Sequence, residues 1–279
     1  MSKKTIDSLV DDIKDVLSKP QDYEFGSEVD LMCANIYTLI IEKLAKRESQ
    51  KNGNALRMSA IGTPDRKMWY QDRHAEEAEE MPPEAYLKFL YGDLIEELIL
   101  MLAKVAGHEV KGQQKTLEID GVMGHQDCEI DGELVDVKSA SSFAFNKFNN
   151  NKLREDDSFH YLDQLNVYRE ANPDVRKDRA HFLAIDKQLG KICLDTYEAN
   201  DKDYAKEITR KKAMLESDTV PPKCYMPVPD GKSGNMKLDT ACSYCSFKKK
   251  CWPTMRTFLY SSGPRFLTEV KRVPDVPEV

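Results

Sequence analysis

A short hairpin signal near the middle of the chain constrains the fold more than any other feature. Asp131-Gly132 is a dipeptide typical of two-residue β-hairpin turns, and strand-like stretches lie on both sides of it. A two-residue turn fixes the register of the strands, and this register places Asp127 directly opposite Asp136. Side chains paired in this way have Cβ atoms ~5 Å apart. The sequence therefore predicts two carboxylates that face each other across a hairpin.

A cation would relieve the repulsion between these carboxylates. Like charges this close are unfavourable unless a positive ion lies between them, and a hard divalent ion prefers oxygen ligands. Lys138 lies two residues after Asp136, so the two side chains share one face of the strand. A lysine there can position an attacking water or stabilise a charged transition state. The set is typical of metal-assisted phosphodiester hydrolysis, but the polar face of an ordinary solvated hairpin would give the same spacing.

Helical patterns precede and follow the hairpin. Apolar residues recur at helical spacing, and a further hairpin pattern lies between the last two helices. The helices are predicted over 5–18, from Ser27 onward, and over 83–105, 157–171 and 201–216, and the strands of the second hairpin over 180–186 and 191–197. This order predicts an α/β (α+β) domain with a mixed central sheet flanked by helices.

Other local patterns predict which cysteines are buried and where a loop lies. Cys33 follows the apolar stripe of the helix that starts at Ser27, so we expect it in the core. Cys128 and Cys193 lie among apolar strand residues and are also expected to be buried. The Asn-rich, basic run 143–155 is expected to be a loop.

Composition narrows the class of protein. Asp+Glu total 48 and Lys+Arg total 41, giving a net charge of −7, which argues against a protein that coats polyanions generally. Seven cysteines are too few and too uneven for a secreted disulfide scaffold. No apolar run reaches the ~18 residues that span a bilayer, and the first residues lack the apolar segment of a signal peptide. We expect a cytoplasmic protein without membrane contact, in which any positive charge for nucleic acid is confined to one groove.

Four blocks of sequence resemble, in order, the motifs of the PD-(D/E)XK nuclease superfamily. The resemblance is to its RecB-like branch, which includes the CRISPR-associated exonucleases. The blocks are Gly92–Glu96 on the long predicted helix, Gly124–Asp127, the Asp-x-Lys block 136–139, and Tyr161–Tyr168, which resembles the QxxxY motif. The resemblance implies a restriction-endonuclease-like fold.

The resemblance also implies a metal site. Glu96, Asp127 and Asp136 would hold Mg²⁺ or Mn²⁺, with the carbonyl of Val137 as a further ligand. Glu96 is preferred to Glu97 because it keeps the Gly-x-x-x-Glu spacing.

The remaining motif residues are given roles in catalysis and in DNA contact. Lys138 would be the catalytic lysine. Gln164 and Tyr168, which share one helix face, would organise the active centre. Without the hairpin, an amphipathic helix would be the simpler interpretation of that pair.

A cluster of cysteines near the C-terminus suggests a second metal site. Cys242 and Cys245 form a C-x-x-C pair, Cys251 follows closely, and Cys224 lies upstream across a Gly-rich stretch. Four thiolates suit either zinc or an iron–sulfur cluster, and their spacing does not distinguish the two.

The resemblance favours a 4Fe–4S cluster, with one departure. Several RecB-like nucleases combine three C-terminal cysteines with one cysteine upstream of the nuclease core. The segment 58–70 is similar to that upstream element, but Thr63 stands where the cysteine is expected. Either Cys224 supplies the fourth ligand, or the site binds zinc, or no cluster forms.

The predicted function is hydrolysis of DNA. The chain would comprise an N-terminal helical region (1–82), a nuclease core (83–216) and a Cys-rich segment packing on that core (217–279). We expect a metal-dependent exonuclease of bacterial or viral origin that acts on DNA ends or single-stranded DNA in recombination or repair. A structure-specific endonuclease and a catalytically silent nucleic-acid-binding subunit are the alternatives.

Aromatic residues interleaved with basic ones suggest where a single strand would bind. Stacking rings and cations are what a single-stranded nucleic-acid channel needs. The candidate rings are Trp69, Tyr70, Phe143, Phe145 and Phe148.

Overall fold

The computed structural model describes residues 4–19, 27–45 and 56–279. Its contacts divide the chain into two compact units. Among the described residues, the first unit contains those up to 45, residues 57–62 and residues 82–208, and the second contains mainly 63–81 and 209–279. Residues 63–81 thus group with the C-terminal residues, whereas the sequence-based division assigns them to the N-terminal region.

Helices form the outer elements of the chain. Within the described residues they are α1 (Leu9–Ser18), α2 (Ser27–Ala45), α3 (Asp65–Arg73), α4 (Pro83–Val105), α5 (Ser142–Asn149), α6 (Tyr161–Ala171), α7 (Tyr204–Glu216), α8 (Thr240–Ser243) and α9 (Lys248–Cys251). Short 3₁₀ turns lie at Ile6–Ser8, Met58–Ala60 and Ala75–Glu77. None of the described helices combines the length and the apolar character needed to cross a membrane.

In the described part of the chain, the strands form three sheets. They are β1 (Val110–Lys111), β2 (Thr116–Ile119), β3 (Val122–His125), β4 (Cys128–Ile130), β5 (Glu133–Ala140), β6 (Arg179–Asp186), β7 (Ile192–Glu198), β8 (Val228–Pro229), β9 (Met236–Lys237), β10 (Arg256–Tyr260) and β11 (Gly263–Glu269). The central sheet of the first unit has the order β1-β4-β5-β6-β7, with β5 and β6 parallel and the other neighbours antiparallel. The predicted mixed α/β fold with a mixed central sheet and flanking helices is therefore confirmed.

The predicted hairpin joins β4 to β5. Ile130 pairs with Glu133, and the two turn residues have positive φ angles of 54° at Asp131 and 85° at Gly132. A two-residue hairpin turn of the primed type needs such angles, because only this twist matches that of the flanking strands. The turn chemistry thus sets the register that positions Asp127.

Helices α1 and α4 cover one face of the central sheet. Leu9 and Leu100 from these helices pack with Ile130, Val135 and Leu183 from the strands, and all five are buried. The predicted span 83–105 coincides with α4.

Helix α2 begins at the predicted Ser27, but the core position expected for Cys33 is wrong. Cys33 is exposed, and α2 has no buried residue among those described. The helix packs chiefly against α4, with Met32 and Ile36 half-buried. Its apolar residues cover more of its circumference than one neighbour can bury, and Cys33 lies outside the covered part.

The loop expected over 143–155 is also corrected, since α5 occupies most of it. The hydroxyl of Ser141 accepts a hydrogen bond from the Ala144 N–H and so caps the helix. Phe145 and Phe148 are buried at helical spacing, which outweighs the turn preference of the asparagines. Neither of these two rings is accessible to a nucleic acid.

The second unit contains a sheet that the sequence did not predict. Its antiparallel strands have the order β10-β11-β9-β8. Trp69, Tyr70 and Phe247 form a buried aromatic cluster. The stacking role considered for Trp69 and Tyr70 is therefore contradicted by their burial.

Asp195, on β7, is a buried acid outside any predicted site. It has 0% exposure, and its Oδ2 accepts a hydrogen bond from the Tyr197 hydroxyl at 2.6 Å. Its Oδ1 has no hydrogen-bond partner among the described residues. Burial raises the pKa of Asp195 to about 6, although the Tyr197 hydrogen bond lowers it.

This acid makes the stability depend on pH. Its pKa in the folded protein exceeds the ordinary value of 3.8, so the folded state binds its proton more tightly than the unfolded state does. Its contribution to the free energy of unfolding is therefore complete below pH 3.8 and is lost as the pH rises through about 6. In Asp195→Asn, the free energy of unfolding should fall less between acid and neutral pH than in the wild type, by on the order of 1 kcal/mol. Urea denaturation at a series of pH values measures this. Asp11→Asn, at an exposed acid on α1, is the control, and equal pH profiles for wild type and Asp195→Asn would contradict the prediction.

Candidate active site

The residues named by the motif resemblance lie together in the first unit. Asp136 and Lys138 are on β5, and Asp127 immediately precedes β4. The Lys138 Nζ lies 2.6 Å from Asp136 Oδ1, and the Gln164 side-chain amide on α6 donates to Asp136 Oδ2 at 3.0 Å. The charge of Glu96, on α4, acts on Asp127.

The hairpin holds Asp127 through the backbone of the opposite strand. The Val137 N–H donates to Asp127 Oδ2 at 2.8 Å. This contact fixes one carboxylate oxygen and leaves the other free of that bond. The role of the Val137 carbonyl as a ligand stays a prediction.

Burial raises the pKa values of all three carboxyl groups, and repulsion by neighbouring carboxylates adds to this at Glu96 and Asp127. Burial raises the pKa of Glu96 to about 7, and the charge of Asp136 adds to this against the hydrogen bond from Gln114. The pKa of Asp127 lies well above its ordinary value because of burial and the charges of Asp136 and Glu96. Burial also raises the pKa of Asp136, against the lowering effect of Lys138. Additional positive charge would therefore stabilise the ionised forms of these carboxyl groups.

Lys138 supplies only part of that charge. Burial by itself would lower its pKa, but the charges of Asp136 and Asp127 outweigh burial and the net shift is upward. The lysine is thus an ammonium at neutral pH. It serves as a fixed positive charge and a donor, and it has no lone pair with which to accept a proton.

Oxygen atoms suited to a hard cation are present, although they are not gathered at one point. Asp136 Oδ1 is buried, and the Lys138 ammonium is its ion-pair partner. Glu96 Oε1 accepts from the Gln114 side-chain amide at 2.9 Å. Glu96, Asp127 and Asp136 do not offer three oxygens that all lie within 4.8 Å of one another. The donor chemistry fits Mg²⁺ or Mn²⁺, and binding would require these oxygens to move closer together.

One of two motif glycines makes room for this arrangement. A Cβ added at Gly124 would lie 2.6 Å from Met58 Cβ and 2.7 Å from the Tyr168 hydroxyl oxygen. A Cβ at Gly92 would lie 3.4 Å from Ser139 Oγ. Gly124 therefore allows Tyr168 of α6 to lie against β3, whereas a Cβ at Gly92 would make only an ordinary contact with β5.

Two residues that contact the site had no role predicted from the sequence. Gln114 lies in a turn with a φ of 51°, and no pattern identifies it as a partner of Glu96. Tyr161 lies under the Lys138 ammonium, with 4.7 Å between Nζ and the ring centroid. The signal for Tyr161 was its position three residues before Gln164, which places both on one face of α6.

In the second unit, the four predicted cysteines are neighbours. Cys242 is affected by the charges of Cys245, Cys224 and Cys251, and burial together with these charges raises its pKa to about 12. All four are half-buried and free of disulfide bonds. No three of their sulfur atoms lie within 4.8 Å of one another, so they are grouped without being closed around an ion.

Cys224 lies beside the start of α3. Its sulfur interacts with the backbone N–H groups of Lys67 and Arg66, three or four residues after Thr63. Cys224 therefore approaches the segment in which the resemblance expects a cysteine.

Basic residues of the runs 143–155 and 248–250 form ion pairs with acids. Lys147 lies 2.5 Å from Asp156, Lys248 contacts Glu79, and Lys250 lies 2.6 Å from Glu77. These runs therefore offer less free positive charge than the sequence suggests.

Comparisons with known proteins add little. No family model matches the sequence, and no curated protein matches it. The solved structure described as "Crystal structure of SSO0001" is similar over 80% of this chain and 95% of that chain, with 15% sequence identity and a TM-score of 0.40.

The close packing at Gly124 predicts a costly substitution. In Gly124→Ala the new methyl group would overlap Met58 and Tyr168, and overpacking of this kind costs about 1–3 kcal/mol. We expect the free energy of unfolding to fall by that amount, as measured by chemical denaturation. Gly92→Ala is the matched control, because its contact is looser and alanine favours a helix. Equal stability of Gly124→Ala and the wild type would contradict this account.

Proposed function

We propose that this protein is a metal-dependent DNA nuclease of the PD-(D/E)XK superfamily, in its RecB-like branch, with a restriction-endonuclease-like fold. It would hydrolyse phosphodiester bonds at DNA ends or in single-stranded DNA. The observation that carries the proposal is the group formed by buried Asp136 and half-buried Glu96 and Asp127 beside the Lys138 ammonium. Buried charges that destabilise one another are typical of functional sites.

The three carboxylates would hold Mg²⁺ or Mn²⁺. When bound, such an ion offsets their negative charge, lowers the pKa of a water ligand and polarises a phosphoryl oxygen. The buried position of Asp136 and the raised pKa values of Glu96 and Asp127 support this assignment.

The protein's own residues would prepare the reaction in two ways. Gln164 fixes one oxygen of Asp136, which leaves the other oxygen turned toward Lys138. The Lys138 ammonium stabilises the negative charge that grows on the phosphoryl oxygens as water attacks phosphorus. The water oxygen would form the new bond to phosphorus and release a proton to solvent, while the bond to the leaving oxygen breaks and that oxygen takes up a proton from solvent, giving a phosphate monoester and a hydroxyl end.

Removal of either charged partner should abolish cleavage. Asp136→Asn loses a carboxylate of the cation site, and Lys138→Met loses the stabilising ammonium, so each should lower the rate of cleavage by about 10²–10⁴-fold. The measurement is release of labelled fragments from end-labelled single-stranded and duplex DNA with Mn²⁺. Asp174→Asn, at an exposed acid paired with Lys115, is the control. Cleavage by purified Asp136→Asn at the wild-type rate would rule out the proposal, and circular substrates separate exonuclease from endonuclease action.

The same proposal assigns the cysteines of the second unit to a 4Fe–4S cluster, with zinc as the alternative. Cys242, Cys245 and Cys251 would be three ligands. Cys224 would be the fourth, which is supported by its position beside the start of α3.

This ligand set can be tested without any activity assay. Anaerobically purified wild type should contain iron and absorb at about 400 nm, as thiolate-bound iron does. Cys224→Ser should lose most of the iron, whereas Cys33→Ser, at an exposed cysteine of α2, should retain it. Full iron content in Cys224→Ser would exclude Cys224 as a ligand, and stoichiometric zinc in the wild type would favour the alternative metal.

A further inference from the structure

An exposed ring lies at the outer end of a run of aromatic side chains in the first unit. Phe159 is 66% exposed and stacks on Tyr161, with 5.5 Å between the ring centroids and 24° between the planes. Tyr161 in turn stacks on buried Phe148 at 6.3 Å and 28°, and Phe148 contacts buried Phe182. The rings therefore lead from the core to the surface, and the last one presents a face to solvent.

This run of rings passes directly beside the proposed catalytic lysine. The Lys138 Nζ lies 4.7 Å from the centroid of Tyr161, the ring on which Phe159 stacks. Only one ring thus separates Phe159 from the ammonium that would face the reacting phosphate.

The segment that carries Phe159 is held in place by several contacts. The Asp157 carboxylate accepts hydrogen bonds from the N–H groups of Tyr161 at 2.8 Å and Leu162 at 2.9 Å. His160 has a φ of 59°, and a Cβ added at Gly62 would lie 2.3 Å from His160 Cβ. The backbone therefore fixes the ring before any ligand binds, which lowers the ordering cost of binding.

A single exposed aromatic residue is ordinary on a protein surface. Phe159 differs because its inner face is already occupied by an anchored ring and its position is next to the proposed site. Phe143, the other exposed ring of this region, lies instead beside Lys147.

We infer that Phe159 is a base-stacking platform for the nucleotide next to the cleaved phosphodiester bond, and that it makes the protein prefer single-stranded DNA. This inference rests on the proposed nuclease function. Every base has a flat face that can stack on an aromatic ring, but in a duplex those faces are covered by neighbouring bases. The exposed residues Lys152 and Arg154, in the preceding segment, supply positive charge for the DNA backbone.

The inference predicts a selective defect in substrate binding. Phe159→Ala should raise KM for single-stranded DNA by about 5- to 100-fold, the range for loss of one base-stacking contact, with little change in kcat. Phe159→Trp should keep KM near the wild-type value because indole also stacks. Cleavage at duplex ends should be unaffected, and the slope of log KM against log salt should not change, because the ring carries no charge.

The experiment compares wild type, Phe159→Ala, Phe159→Trp and the control Tyr37→Ala with Mn²⁺ on single-stranded and duplex substrates. Tyr37 is an exposed ring on α2 with 70% exposure, outside the stack. Thermal denaturation checks that each variant folds. If the wild type cleaves DNA but Phe159→Ala keeps the wild-type KM, or loses single strand and duplex equally, the inference alone fails. If the wild type cleaves no DNA, the proposed function fails and the inference fails with it.

Discussion

The partial or full burial of three carboxylates beside one ammonium is the constraint on which the rest of the first unit depends. In a medium of low dielectric these charges repel strongly, and Lys138 balances only part of them. Such a group costs stability unless protons or a cation neutralise the remainder. The surrounding fold must therefore hold acids together that would separate if left free, and the packing of α4, the hairpin and α6 does this.

Several features of the sequence serve that purpose and could be predicted from it. Asp131 and Gly132 adopt the positive φ angles that the tight turn needs, and the turn sets the register of the hairpin. This is local chemistry, which a sequence pattern reports directly. The grouping of Glu96 and Gln164 with the hairpin acids came instead from the ordered motifs, since no periodicity relates residues so far apart.

Other features could not be predicted because they depend on tertiary neighbours. The asparagines of 143–155 favour turns, but burial of Phe145 and Phe148 stabilises α5. Cys33 has the spacing of a core residue, yet α2 has too few neighbours to cover it. Gln114 reaches Glu96 from a turn without a recognisable signature. In each case the sequence gives the side chain and its local spacing, whereas the partner is decided by the packing of distant segments.

The parallel pairing of β5 with β6 has a consequence for how this architecture can diversify. Parallel neighbours need a long crossover, and here the crossover runs from the end of β5 through α5 and α6 to the start of β6. The residues proposed for chemistry lie on β5, before the crossover, whereas residues 150–160 are mostly exposed turns within it. Under the proposed function, substitutions in these turns could change the preferred nucleic acid while the residues on β5 stay the same.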